Sequence, residues 1–422
     1  MSERVPCQIC GTSILEVTAK YNDGFCAPCV QAKARKEREE FIRQNKKDVD
    51  LYSGVDSDVE IIKIMHRPKK YNPLINYLPY QRKLYELYRG LNEQEVQELV
   101  NYAIELIEDE DQDQAEYILI YLACLTDADL DKALEVCIQN EIFYPEGIYR
   151  ECGEGISEIL IDKLKSGWRY DIPSVLAYGK SEQVTNFFNE LESNEPEETK
   201  GSSVRAHEHS HGAGWTLSSN TRRSLVFPKA FGVVNSRHSG EELAEQIAVR
   251  AGFQKLEEKC SACNAPLSIL FDIDLNDPNI DFISLNQERL RVLNCPNCSC
   301  YGVFYARFEN DHVKAHPLNK NSFSQFDPND LEYLYPQKVL KFSSQERSIY
   351  SVNYWFDDMP LTQLGGFPSW IQDSIYPKCI DCNETMKFLG QVSNDDISLS
   401  EGIFYAHICL DCKVTCVHYQ QT

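Results

Sequence analysis

The sequence predicts a multidomain α+β chain: an N-terminal cysteine finger, a repeat-like α-helical array, and a C-terminal β-rich duplicated domain built on cysteine ribbons. Three observations carry this expectation. Cysteines recur as C-x-x-C pairs in three sets of four. The stretch from about 81 to 192 has apolar residues at three- and four-residue steps. From Trp215 onward the chain turns aromatic, β-branched and turn-rich, and one cysteine pattern is written there twice.

A chain of 422 residues fits two to four domains. No apolar run reaches the ~18–20 residues of a membrane span, and the N-terminus MSERVPCQIC lacks the apolar core of a signal peptide. The expected location is the cytoplasm, where the 17 cysteines stay reduced and read as metal ligands rather than disulfides. With 65 acids against 42 bases the formal charge is −23. Such a surface repels nucleic acid phosphates; it either attracts basic partners or simply keeps the chain soluble.

Residues 1–47 hold the first set, Cys7, Cys10, Cys26 and Cys29. Two C-x-x-C pairs place four thiolates around one tetrahedral Zn²⁺. A knuckle, a turn-rich hairpin and a second knuckle opening a helix is the plan of a treble-clef zinc finger. The helix carries Lys33, Arg35, Lys36, Arg38, Arg43, Lys46 and Lys47, interleaved with Glu37, Glu39 and Glu40. It reads as a solvated face, with nucleic acid binding the alternative.

Residues 48–80 read as an acidic, proline-broken connector without continuous helix. Residues 81–192 read as an antiparallel, HEAT-like helical array. Asn92 with Glu95 makes a capping box, and Thr126 with Asp129 caps a further helix. Tyr117, Ile120, Tyr121 and Cys124 form a second apolar stripe; the lone Cys124, Cys137 and Cys152 read as packed hydrophobes. From Gly90 to Asp131 there are thirteen acids and no Lys or Arg. Like charges at i, i+4 repel, so a face of one sign is unfavourable in itself. Glu93, Glu95, Glu98, Glu105, Glu108, Asp109, Glu110, Asp111, Asp113 and Glu116 are therefore the candidate partner-binding residues, facing a basic protein. A merely solvated acidic face is the alternative.

Residues 193–214 read as a linker, in which His207, His209 and His211 could hold a metal only weakly. The β-rich domain spans 215–422, with units at about 215–325 and 326–422 and short helical interludes such as GEELAEQIAVRAG. Its zinc-ribbon sets are Cys260, Cys263, Cys295 and Cys298, then Cys379, Cys382, Cys409 and Cys412. KCSACNAPLSILFDI at 259–273 parallels KCIDCNETMKFLGQV at 378–392, and CPNCSCYGVFYARF parallels CLDCKVTCVHYQ. Cys300 and Cys416 fall at different offsets and fit no shared site. All three sets are closed Cys₄ cages, which read as structural zinc.

The last sixty residues resemble the YwqG-like family, a bacterial family of unknown function. The resemblance rests on Gly365, Gly366, Pro368, Trp370 and Gln372, then Cys379, Cys382, Met386, Gln391, Gly402 and Tyr405, and finally Cys409, Cys412 and Gln420. It extends over about 215–422, although the first copy matches only at the knuckles. It implies a β-rich domain of duplicated halves and brings no catalytic residues. It also implies kinship with bacterial toxin-immunity proteins. Gly365-Gly366 suits a tight turn and Trp370 a core plug.

No GxSxG, P-loop, Rossmann glycine or HExxH pattern occurs. A Cys416 pairing with His407 or His418 reads as packing beside a structural zinc. The expectation is a non-catalytic cytosolic binding protein: a bacterial immunity protein that captures a basic toxin, such as a nuclease, on acidic surfaces of a zinc-stabilised scaffold. The alternatives are a nucleic-acid-associated zinc-ribbon protein and an uncharacterised enzyme in the C-terminal domain.

Overall fold

The structure, a computed structural model, describes residues 3–200, 202, 204–234, 245–309, 312–320, 335, 338–354, 356, 359–397 and 401–422. The chain divides into two compact units, Met1–Lys83 and Leu84–Thr422.

In the first unit, β1 (Arg4–Pro6) pairs antiparallel with β2 (Ser13–Leu15) across the first knuckle, and α1 (Glu16–Tyr21) follows. Helix α2 (Ala27–Asn45) starts on the second knuckle, with Cys26 as its N-cap and Pro28 in its first turn. None of its 19 residues is buried, and the pairs Lys33–Glu37, Arg35–Glu39 and Arg43–Glu40 run along it. Strand β3 (Lys47–Val49) pairs parallel with β4 (Ile75–Tyr77). Between them the expected connector holds a helix, α3 (Asp58–His66). The Ser57 hydroxyl caps it by accepting from the Glu60 amide, and Val59, Ile61 and Ile62 are buried. The prolines lie beyond this helix rather than in it, so they bound it instead of breaking it.

The second unit begins with α4 (Leu84–Arg89), α5 (Glu93–Glu108), α6 (Gln112–Leu125), α7 (Asp131–Gln139), α8 (Glu154–Ser166), α9 (Ile172–Leu176) and α10 (Glu182–Ser193). The Asn92–Glu95 capping box forms in both directions. The Thr126–Asp129 cap does not. Thr126 closes α6 by donating to the Leu122 carbonyl, while Asp129 Oδ1 accepts from the Asp131 amide at the start of α7. Ala115, Ile118, Leu119 and Leu122 join Ile120, Tyr121 and Cys124 in the core, so α6 is buried on most sides; Tyr117 points outward at 51% exposure.

The stretch 193–214 is packed where a linker was expected, with residues 201 and 203 outside the described ones. Turns of 3₁₀ helix run over Glu197–Thr199 and Ala206–His211, and Ala206 and Ser210 are buried. His209 Nδ1 lies 2.9 Å from Ser174 Oγ on α9, and the indole of Trp215 donates to the Ala177 carbonyl at 2.7 Å. The polar residues that look like linker composition are the ones that bond the helices.

A hairpin of β5 (Trp215–Ser218) and β6 (Thr221–Ser224) leads into one large sheet. Its strands are β7 (Phe227–Val233), β8 (Gln246–Lys259), β9 (Pro266–Asp274), β10 (Arg289–Asn294), β11 (Phe304–Glu309), β12 (His312–Ala315), β13 (Leu340–Arg347), β14 (Gln363–Gly366), β15 (Lys387–Ser393), β16 (Ile403–Cys409) and β17 (Val414–Gln420). The order across it is β10-β9-β8-β13-β7-β14-β15-β16-β17-β11-β12, all antiparallel. Its first strand comes back against β11, β12 and β17, so the sheet is barrel-like. Strands of both cysteine repeats share this sheet, and β11, which follows the second set, pairs with β17, which follows the third. The expected helical interlude is strand from Gln246 on, with Ile247, Val249 and Ala251 buried in alternation; residues 240–244 lie outside the described ones. Phe227, Phe231, Phe271, Phe342, Leu364, Leu389 and Val392 fill the core under the sheet.

Candidate metal centres

The sequence brings each cysteine set together by the same local turn. In Cys7-x-x-Cys10, Cys260-x-x-Cys263 and Cys379-x-x-Cys382 the next residue adopts a left-handed backbone: Gly11 (φ 72°), Asn264 (φ 65°) and Asn383 (φ 64°). Glycine and asparagine are the residues that tolerate this conformation. Their amides return to the first cysteine's carbonyl at 2.9, 2.8 and 2.9 Å. The amide of that cysteine bonds the carbonyl of Thr12, Ala265 or Glu384 at 2.8, 2.8 and 2.7 Å. The turn aims both sulfurs of the pair at one point.

The second pair of each set comes from a different element. Cys26 and Cys29 open α2. Cys295 is the N-cap of the short helix α11 (Pro296–Ser299) directly after β10, and Cys298 lies within it. Cys409 ends β16, and Cys412 sits in the turn to β17. The later two sets therefore staple the ends of the antiparallel pairs β9–β10 and β15–β16.

Within each set all four sulfurs lie within 4.8 Å of one another. A tetrahedral ion with sulfur bonds of about 2.3 Å spaces its ligands by about 3.8 Å. Cys260–Cys298 and Cys382–Cys409 stand at 3.8 Å, Cys10–Cys26 at 3.6 Å and Cys263–Cys295 at 3.4 Å. All 17 cysteines are free of disulfides. The three sets thus fit zinc in donor type, number and spacing.

Their protons are shared unevenly. The Cys10 amide lowers Cys7 to about 6, and the Glu384 amide is the main cause lowering Cys382. The Cys26 thiol raises Cys29 to about 12, and the Cys382 thiol raises Cys412 to about 11. In each of these sets one sulfur gives up its proton more readily than its neighbour, and a divalent cation displaces such protons on binding. The second set is buried throughout, whereas Cys10 and Cys382 are exposed. Cys300 and Cys416 stand outside all three sets, as their offsets predict.

One contact was not legible in the spacing. Asp381, inside the third set's first knuckle, accepts from Arg307 Nη2 at 2.7 Å and lies 3.3 Å from His316 Nε2. The Tyr305 hydroxyl donates to the Lys378 carbonyl at 3.0 Å. Arg307 and Tyr305 belong to β11, which leaves the second set, so one strand ties the two metal sets together.

The residues that carried the family resemblance also gather, around the loop 369–373. Gln391 Oε1 accepts from the Ser369 amide, the Tyr405 hydroxyl donates to the Ser369 carbonyl, and Gln420 Oε1 accepts from the Ile371 and Gln372 amides. They clamp a backbone. Trp370 lies over Tyr405 at 4.7 Å and parallel to His407 and His418 at 6.2 and 6.1 Å. Burial pushes His407 well below the usual imidazole range and His418 down to about 4, and it holds the Cys416 thiol well up. These groups are neutral in the fold.

The acidic residues are spread over two helices and the turn between them. Glu93, Glu98, Glu105 and Glu108 are exposed on α5, where half-buried Glu95 completes the capping box. Asp109, Glu110 and Asp111 form the turn, and Asp113 and half-buried Glu116 lie on α6. His207, His209 and His211 do not form a metal cluster among the described residues; His211 is bonded to Thr216. Among the described residues no helix is long and apolar enough to cross a membrane.

No protein-family model matches the chain, and no solved structure matches it. It is similar to the uncharacterised protein YpfL of Salmonella typhimurium, with 32% identity over 437 aligned residues that span 100% of both chains.

Proposed function

The chain belongs to the family of YpfL, and on that premise we propose that it is a non-catalytic protein that captures a basic protein partner. In this reading Zn²⁺ fills all three cysteine sets as a structural ion, because each cage offers four thiolates and no open position. The observation that carries the reading is the acid-only stretch from Gly90 to Asp131, displayed on α5, α6 and their turn. Complementary charge speeds and orients capture of a cationic partner. The partner we name is a bacterial toxin, with this chain as its cytosolic immunity protein. The test is co-expression with the product of the adjacent gene. Restored growth together with a stable one-to-one complex supports the reading; a harmless neighbour and no protection overturn it.

A second reading has its own observation. Residues 1–83 carry 15 Lys and Arg against 11 Asp and Glu, whereas the rest carries 27 against 54. No residue of the basic α2 helix is fully buried. This favours a nucleic-acid contact by the finger. Filter binding through a salt titration tests it, and no retention at low salt removes it.

A further inference from the structure

At one end of the acid-only stretch, aromatic side chains come to the surface. Tyr117 on α6 is 51% exposed, and Tyr144, between α7 and the 3₁₀ turn Glu146–Tyr149, is 62% exposed. Half-buried Tyr354 belongs to the segment after β13, and its hydroxyl feels the charges of Tyr144, Tyr117 and Glu116. The base of this ridge is firmly packed: the Phe356 ring lies 4.3 Å from Tyr121 and 5.7 Å from Tyr354. The ridge therefore stands on a packed aromatic base.

Burial raises Glu116, with Gln112 opposing it and Asp113 adding to it, and burial likewise raises Glu146. Among the described residues neither carboxylate makes an ion pair. Acids elsewhere on the same helical array do: Glu151 holds Arg150 and Lys180, and Arg169 holds Glu141 and Asp171. A partly dehydrated carboxylate next to solvent-facing tyrosine rings is matched by a planar cation. Guanidinium stacks on aromatic faces while it pairs with a carboxylate, and it sheds water more readily than ammonium. Tyrosine and arginine are also the residues that dominate interface energetics.

We propose that the ridge of Tyr117, Tyr144 and Tyr354, with Glu116 as counter-ion, docks an arginine-bearing segment of a protein partner. This rests on the partner-capture reading above and narrows it from the whole acidic stretch to one ridge. The exposed acids of α5 then steer the partner, and the ridge selects arginine over lysine.

The test measures binding of fluorescent nona-arginine and nona-lysine peptides to the zinc-loaded full chain at low salt. The ridge predicts that nona-arginine binds about tenfold more tightly, a difference of about 1.4 kcal/mol. The double variant Tyr117→Ala, Tyr144→Ala should remove that preference and leave nona-lysine binding unchanged. The matching Phe variants should keep it, since they keep the rings, and E116Q should reduce it. As a control, Glu93→Gln with Glu108→Gln should weaken both peptides alike. Equal binding of the two peptides, or a preference that survives the Ala variants, overturns the ridge and leaves the acidic face standing. Failure of both peptides to bind overturns both.

Discussion

Replacing Cys7 by serine should empty one metal site and unfold one small part of the chain, whereas Cys263→Ser should weaken the large unit. The difference follows from what surrounds each set. Around the first set the buried side chains among the described residues are Cys7, Ile14 and Cys26. One buried isoleucine contributes about 2 kcal/mol, against roughly 10 kcal/mol or more from a structural zinc. Without the ion, nothing in the finger offsets the entropy of ordering it. The second set lies among Leu267, Ile269, Leu293 and Phe304, continuous with the eleven-stranded sheet. Loss of its ion there opens a hole in a packed region and leaves buried thiols unpaired, a cost of about 3 kcal/mol or more. For a unit of this size that lowers Tm by roughly 4 °C or more. Hydrogen exchange read by mass spectrometry, with zinc content and calorimetry on the same samples, separates the cases. Cys7→Ser should lose one zinc and the amide protection between residues 7 and 29, while the melt of the second unit stays put. Cys263→Ser should lose one zinc and shift that melt. A Cys7→Ser chain with full zinc and a protected finger, or a Cys263→Ser chain with an unshifted melt, would refute the reasoning.

Three further expectations come from the same geometry. Gly365→Ala should destabilise the second unit by more than about 2 kcal/mol, because Gly365 has φ +71° and an added Cβ would run into the Lys229 carbonyl; urea unfolding checks it. Arg307→Ala should leave the zinc count at its parent value but speed release from the third set about two- to fivefold, since the half-exposed pair with Asp381 is worth at most about 1 kcal/mol; a chromogenic chelator reads the rate. Burial lowers both His211 and His418 to about 4, so the folded chain keeps them neutral while the unfolded chain takes up a proton near pH 6.5. Their contribution is present above pH 6.5 and is lost as pH falls towards 4, at about 2 kcal/mol each by pH 5. The double variant His211→Gln, His418→Gln should lose less stability than the parent between pH 7 and pH 5, and equal losses contradict it.

The features legible in the sequence were those decided locally. A C-x-x-C pair followed by Gly11, Asn264 or Asn383 needs only its own turn, so the grouping of all twelve clustered cysteines could be read from spacing. The Asn92–Glu95 box and the helix after Cys29 are likewise set within a few residues. What the sequence concealed was decided at long range. The polar stretch 193–214 bonds α9 through Ser174 and His209, thirty-five positions apart. Residues 246–252 alternate by two as well as suiting a helix, and pairing with β9 and β13 settles them as strand. Asp381 looks like any knuckle residue until β11 brings Arg307 to it across seventy-four positions. The tyrosine ridge draws on three segments, and Tyr117 read as core because it falls on the apolar repeat of α6.

The scaffold depends on three thiolate cages, and zinc content with X-ray absorption at the zinc edge tests them most directly. The account predicts close to three zinc ions per chain, each with four sulfur neighbours at about 2.3 Å. A content near zero, or a shell dominated by nitrogen and oxygen, would contradict it.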